Sequence, residues 1–299
     1  MSTRTVEPRR IPDVPLAPPG DHAGLVDVFR RRYLLRLLVR KEIQSRYQGS
    51  VLGLLWSYVQ PLVRFTMYFF VIGVVLGLHR NVPNFAIHMF AAITVVHYFT
   101  ETFTSGTRAI VRNKAIVRKM AMPREMFPVA AVIVSAIHTF PQVLILFVAC
   151  LAVGWSPDPG AILAGVLGLA IITIFGTALA LLFSAMNVFF RDFQNIVATL
   201  TIFTHWAVPM IYPYSRLANS SLGHGWFIQL YLANPLTEAV LLMQRCLWVP
   251  TAGSQALPPG SMPDHLFVRG FIMLGAVLVV LVLSQLAFTR LETKIAERL

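Results

Sequence analysis

Six apolar windows of about 20 residues dominate this chain, near residues 54–78, 85–103, 127–153, 161–188, 196–212 and 266–288. At about 1.5 Å per helical residue, each approaches the roughly 30 Å of a bilayer's hydrocarbon core. The sequence therefore predicts an all-α integral membrane protein with six transmembrane helices. The fifth window is short and proline limits it. With 56% hydrophobic and 13% charged residues, the 299-residue chain has too little polar surface for a soluble fold.

Basic residues set the expected orientation. Residues 27–47 hold seven Lys and Arg, 107–125 hold six and 289–299 hold three, whereas 79–84 and 154–160 hold one and none. Positive residues in short loops stay cytoplasmic, so both termini are expected inside the cytoplasmic membrane. The formal charge of +12 sits beside apolar spans, which argues for topology and lipid contact and against nucleic acid. Residues 1–23 carry five prolines and no apolar core, the pattern of a disordered cytoplasmic tail. A tail is also expected over 291–299. Cys150 and Cys246 lack metal-ligand spacing and are expected to pack.

Residues 24–48 predict an amphipathic interface helix, with Leu34, Leu35, Leu37, Leu38 and Ile43 beside seven Arg and Lys. Such a helix lies at the headgroup level against anionic lipid. It leads through Gly49 and Gly53 to Trp56 and into the 49–290 transmembrane domain. Between the fifth and sixth windows, residues 213–265 form an extracytoplasmic region in which 226–248 is apolar but broken by Asn234-Pro235. Re-entrant or interfacial helices are expected there, because irregular backbone at membrane depth needs protein or water around it.

No Gly-Lys pair occurs anywhere, so the phosphate-cradling loop of an ATPase is absent. Metalloprotease and serine-hydrolase motifs are absent as well. The polar residues inside the windows are more informative, since a charge at the bilayer centre costs at least about 2.5 kcal/mol. Gln60, Arg64 and Tyr68 share one face of the first window, and Thr94, Tyr98, Glu101 and Ser105 form a stripe on the second. Arg64 and Glu101 either pair across helices or line a polar conduit. Tyr58, Phe65 and Phe69 share a face that is either core or a surface on which sugar C–H groups rest.

Four ordered motifs narrow the function. Arg40-Lys41-Glu42-x-x-x-Arg46-Tyr47-x-x-Ser50-x-Leu52-Gly53-x-x-Trp56-x-x-x-x-Pro61 resembles the entry motif of transmembrane subunits of polysaccharide ABC exporters. Those exporters carry O-antigen, teichoic acid or lipid-linked galactan. Asn113-Lys114-x-x-x-Arg118-Lys119-x-x-x-Pro123-Arg124 resembles that family's cytoplasmic coupling loop, over 107–125. Asn187-Val188-x-x-Arg191-Asp192, over 187–195, and Pro209-x-x-Tyr212-Pro213 resemble its second cytoplasmic turn and fifth span. Asn234-Pro235-Leu236 with Arg245 is similar to its periplasmic gate region. Gln44 and Val208 depart from the pattern, where lysine and Ser or Thr are common. Only four of the 25 basic residues are lysine, a GC-rich flavour that points toward an actinobacterial galactan exporter.

The resemblance implies a non-enzymatic permease that works as a homodimer with two copies of a separate ATPase, which would hold ATP and Mg; the permease itself would carry no cofactor or metal. The implied cargo is a polyprenyl-pyrophosphate-linked polysaccharide. Substrate entry would fall at Arg40, Arg46, Tyr47 and Trp56. A conduit would run along Tyr58, Gln60, Arg64, Phe65, Tyr68, Phe69, Tyr98 and Glu101. Coupling would use Asn113, Lys114, Arg118, Lys119, Pro123, Arg191 and Asp192, and the gate Asn234, Pro235 and Arg245. The alternatives are a small-molecule, drug or haem exporter of the same architecture, or a membrane-embedded glycosyl- or lipid-modifying enzyme.

Overall fold

The computed structural model describes residues 24–77, 82–120, 122–220, 223, 225–252, 257 and 260–298, and every regular element among them is helical. The expected tail over 1–23 and the end of the first window at Leu78 lie outside the described residues. Two helices lead in, α1 (Leu25–Arg30) and α2 (Arg32–Tyr47). The amphipathic stretch is thus divided at Arg31, whose backbone leaves helical geometry and whose guanidinium lies 3.1 Å from Asp27.

After a 3-10 turn at Gly53–Leu55, α3 (Trp56–Tyr68) runs directly into a π-helical stretch, Phe69–Val75. The wide turns occur where Gly73 lies against Phe85; a Cβ there would sit 3.2 Å from the ring. α4 (Phe85–Arg112) follows, then short α5 (Lys114–Lys119), α6 (Met126–Ala152), α7 (Pro159–Phe189) and α8 (Phe193–Thr204). Three further pieces, α9 (Tyr214–Ala218), α10 (Trp226–Leu232) and α11 (Pro235–Leu247), precede α12 (Leu266–Arg298).

Among the described residues four helices can cross a membrane by length and composition: the continuous Trp56–Val75 unit, α6, α7, and α12 over Leu266–Ile295. α4 has the length, about 42 Å, but carries Glu101, Arg108 and Arg112. α8 has 12 residues, about 18 Å, and stops at Thr204 well short of the 212 expected from hydropathy. The structure accordingly supports four apolar spans, with α4 and α8 as the more polar and the shorter of the six windows. Boundaries at the basic end also move. Residues 107–112 are the last turns of α4, α7 continues to Phe189, and 291–298 prolong α12 as helix.

α4 is the centre of the bundle, packed against α6, α7, α8 and α11, while α7 bridges it to α12. One apolar core gathers Met89, Val96, Ile171, Leu241 and Trp248 around α4, α7 and α11. A second, at the basic end, joins Leu35 and Leu38 of α2 to Ile110, Met126, Phe127, Leu181 and Phe288. Within 213–265 the chain folds back onto the bundle, and Leu236, Val240 and Leu241 of α11 are buried. Side-chain bonds tie it and its neighbours to the bundle. The Gln244 amide donates to the Pro209 carbonyl at 2.9 Å, and Asn84 donates to Thr251 at 2.8 Å.

Close helix approach depends on glycine at the α4–α7 and α7–α11 contacts. A Cβ on Gly106 would lie 2.4 Å from the Ala180 Cβ, and on Gly168 3.1 Å from the Ala239 carbonyl. Small residues let membrane helices gain dispersion contact where the hydrophobic effect offers none. Gly106→Val should therefore force α4 and α7 apart at a cost of about 1–3 kcal/mol. Thermal unfolding of purified protein in detergent should show a clear drop in midpoint, and an unchanged midpoint would mean that the contact is slack.

Candidate functional site

Between α3, α4 and α8 lies a polar chamber of about 500 Å³. α4 supplies His97, Thr100, Glu101 and Thr104, whose three- and four-residue separations (His97 to Thr100 and Glu101, Thr104 back to Glu101 and Thr100) align them on one helical face. α3 supplies Arg64 and Tyr68 one turn apart, and Thr201, Ile202, His205 and Trp206 close the third side. Arg64 donates to His97 Nδ1 at 3.3 Å, and His205 donates through Nδ1 to the Thr201 carbonyl at 3.1 Å.

Glu101 pairs with Arg46, the penultimate residue of α2, not with Arg64. Ser105 reinforces the pair, donating to Glu101 at 3.0 Å while lying 3.5 Å from the Arg46 guanidinium. The neighbouring Tyr47 hydroxyl lies 2.6 Å from Ser57 Oγ, so the end of α2 is fastened to both α4 and α3. A carboxylate at this depth has to be neutralised, and the guanidinium that does so arrives from an interfacial helix.

The chamber gathers Arg64, Tyr68 and Glu101 of the eight conduit residues expected from sequence. Phe65 and Phe69 stack on each other, 5.8 Å between centroids, and pack onto Phe90 and Phe85 at 4.7 and 6.4 Å. They join α3 to α4. Gln60 is exposed and Tyr58 half-buried. Tyr98 is buried and turned away, lining a separate apolar cavity of about 370 Å³ where its hydroxyl donates to Thr173 at 3.4 Å. Of the entry residues, Arg40 and Trp56 are exposed. His97, Thr100, Thr104, Thr201 and His205 went unremarked in the sequence, although the α4 members share the periodicity that singled out Glu101.

The coupling residues group at the basic end. Lys114, Arg118 and Lys119 are exposed on α5, Arg191 and Asp192 are exposed in the turn before α8, and Pro123 is buried. Asn113 stands at the N-terminus of α5 but makes no cap; it accepts from Lys41 Nζ at 2.6 Å and donates to the Ala109 carbonyl at 2.9 Å. Glu42 pairs with Arg112 beside it. Asp192 occupies the N-cap position of α8 without a side-chain bond. Asn187 donates to the Thr107 carbonyl at 3.1 Å, tying the end of α7 to α4.

In the gate segment Asn234 caps α11, accepting from the Leu236 N–H at 3.0 Å, with Pro235 at the first helical position. Arg245 forms a two-pronged pair with Asp158 at 3.0 and 2.9 Å, anchoring α11 to the start of α7. The Arg245 hydrogen bond holds the Asp158 carboxyl below its usual range. Among the described residues no cluster of three metal-ligating side chains occurs.

Residues 33–247 match the model of the family described as ABC-2 type transporter, which covers α2 through α11. The chain belongs to the ABC-2 type transporter family. It is similar to an O-antigen export system permease protein of Myxococcus xanthus, 30% identical over 195 residues that make up 65% of this chain and 74% of that protein. Two O-antigen export system permease proteins of Klebsiella pneumoniae are 25% and 24% identical over 212 residues, 70% of this chain and 77% of each. The likeness to polysaccharide-exporter permeases drawn from the motifs is met by these matches. In this ABC-2 permease the matched region contains the chamber, the Arg46–Glu101 pair, α5 and the capped α11 together.

Arg46→Ala and Glu101→Ala should each leave a charge without its partner at membrane depth, costing about 1–3 kcal/mol. Reversing the pair, Arg46→Glu with Glu101→Arg, should recover most of the lost thermal stability. Losses in the two single variants that simply add in the reversed variant would argue against a direct interaction.

Proposed function

We propose that this ABC-2 permease is the membrane subunit of an ATP-driven exporter that moves a polyprenyl-pyrophosphate-linked polysaccharide, such as a galactan or an O-antigen, from the cytoplasm to the outer face of the membrane. The observation that carries the reading is the polar chamber, which opens on a face formed by α3, α4 and α8. Gln60 is exposed beside it on α3, and Asn195 and Thr199 are exposed on α8. The names of the O-antigen export relatives supply the substrate class.

A second copy of the chain would cover that face and join two chambers into one conduit at the two-fold axis. Two copies of a separate ATPase, holding ATP and Mg, would dock on α5 and the 190–192 turn. By the positive-inside rule this arginine-rich end would face the cytoplasm, as the two termini would. Arg40 and Arg46 on α2 would draw the anionic headgroup to the chamber; a basic residue near an anionic surface contributes about 1 kcal/mol. Motion of α5 would reach α2 through Asn113–Lys41 and Arg112–Glu42, and the chamber through Arg46–Glu101.

Affinity purification of the tagged chain from its native membrane should bring down an ATPase subunit. Arg118→Glu with Lys119→Glu should abolish that association and surface delivery of the polysaccharide while leaving membrane insertion normal. Recovery of a folded permease with no ATPase, or turnover of a lipid-linked sugar by the permease alone, would overturn the exporter reading.

A further inference from the structure

Glu238 lies in the first turn of α11 and is fully buried, yet neither of its carboxyl oxygens meets a hydrogen-bond partner among the described residues. A buried carboxylate left without a pair or a hydrogen bond is far costlier than the neutral acid in the same place. Burial accordingly pushes this carboxyl up from 4.5 to about 7. The arrangement of α11 seen here favours the protonated acid.

The cation that acts on Glu238 is Arg269, near the start of α12, but no bond joins them. The Arg269 guanidinium donates instead to Gln229 Oε1 of α10 at 3.0 Å, and through Nε to the Asp264 carbonyl at 3.3 Å. Gln229 is exposed and Arg269 half-buried, so this bond sits at the rim. It helps to seat α10, whose Ile228 and Leu232 point inward and whose Tyr231 hydroxyl lies 3.3 Å from that of Tyr212. An arginine thus holds a neutral amide while an acid without a partner lies within its field.

The other ionisable groups on the elements around α11 leave Glu238 to Arg269. Tyr214 of α9 is buried and feels Glu238, Arg269 and Asp264, and Tyr231 of α10 faces Tyr212. His88 of α4 packs edge-on against Trp248 at 4.7 Å, and Asp158 at the head of α7 is paired with Arg245.

We propose that Glu238 and Arg269 are a latent ion pair that makes α10 a pH-sensitive latch: while Glu238 is protonated Arg269 holds α10 through Gln229, and when Glu238 ionises Arg269 leaves Gln229 to pair with it. The proton passes to the medium at that end, and a charge-assisted pair replaces a bond to a neutral amide. The sign follows from proton affinity. The latched arrangement binds the proton more tightly than the paired one, so release of α10 is favoured as pH rises between about 5 and 7, by up to about tenfold per pH unit. The proposal rests on the exporter reading only in treating α10 as part of a gate.

Amide hydrogen exchange tests it on the full-length permease in nanodiscs, without an ATPase, from about pH 5 to about pH 8. Comparison with Glu238→Gln at each pH cancels the intrinsic pH dependence of exchange. Relative to that variant, the 226–232 amides of the wild type should exchange at least about tenfold faster at the upper pH than at the lower. Glu238→Asp should restore a pH response, and it tests the latch even if Glu238→Gln does not fold. Gln229→Ala, which removes a bond of the latched arrangement alone, should move the response to lower pH, and Arg269→Gln should abolish it. Exchange in α10 that is independent of pH, or that responds to pH equally in Glu238→Gln, would overturn the proposal. So would a loss of protection spread through α4 and α7, because ionised Glu238 would then loosen the whole bundle. Because neither ATP nor transport enters the measurement, a pH response in a permease that recruits no ATPase would retire the exporter reading and leave the latch in place.

Discussion

Glu101 lies midway along the most enclosed helix of the bundle, and much of the architecture around it follows from having to neutralise its carboxylate. An unpaired carboxylate at that depth would be among the costliest features of the fold. The partner it takes, Arg46, belongs to an interfacial helix 55 residues earlier in the chain. That choice pulls the end of α2 inward against α4, where Tyr47 and Ser57 then fasten α3 as well. It also leaves Arg64 without an acidic partner beside an open chamber, so one ion pair determines both where α2 lies and what charge the chamber presents.

α2 consequently behaves as a strut with two attachments to α4. Its third turn is held through Lys41–Asn113 and Glu42–Arg112 beside the start of α5, and its C-terminal end through Arg46–Glu101 at the chamber. Beyond the strut, Gly49 and Gly53 adopt left-handed backbone angles, φ +79° and +46°, with open space around them. A glycine in such a place turns the chain at little steric cost, which lets α2 and α3 run in different directions while sharing the Tyr47–Ser57 contact. At the opposite end α11 is held by its own set of bonds, Gln244 to Pro209 and Arg245 to Asp158. The chamber therefore sits between two independently anchored segments.

Much of this was legible from residue types alone. Hydropathy located the starts and ends of α6 and α7 to within a few residues, because long lipid-exposed helices must be apolar throughout. It overran α8. Residues 205–212 are as apolar as the helix before them, yet the chain leaves helical geometry there and Gln244 of α11 satisfies the Pro209 carbonyl. Periodicity placed Arg64 with Tyr68 and singled out Glu101, but it grouped Tyr98 with them. A helical stripe tolerates 40–60° of spread, and only the packing of α6 and α7 against α4 shows that Tyr98 falls on the other side of that margin.

The sequence by itself determined that this is a helical membrane protein resembling polysaccharide-exporter permeases, with a basic end, a break at Asn234-Pro235 and no phosphate loop of its own. Those features are local: runs of apolar residues, counts of arginine and motifs whose members lie within one or two turns. Which charges meet was decided only by tertiary structure. Arg46, Arg64 and Glu101 are three charges on three helices, and the sequence suggested Arg64 as the partner of Glu101 or both as lining of a conduit. The docking of α2 overrides that pairing, because Arg46 meets Glu101 and Arg64 lies against His97.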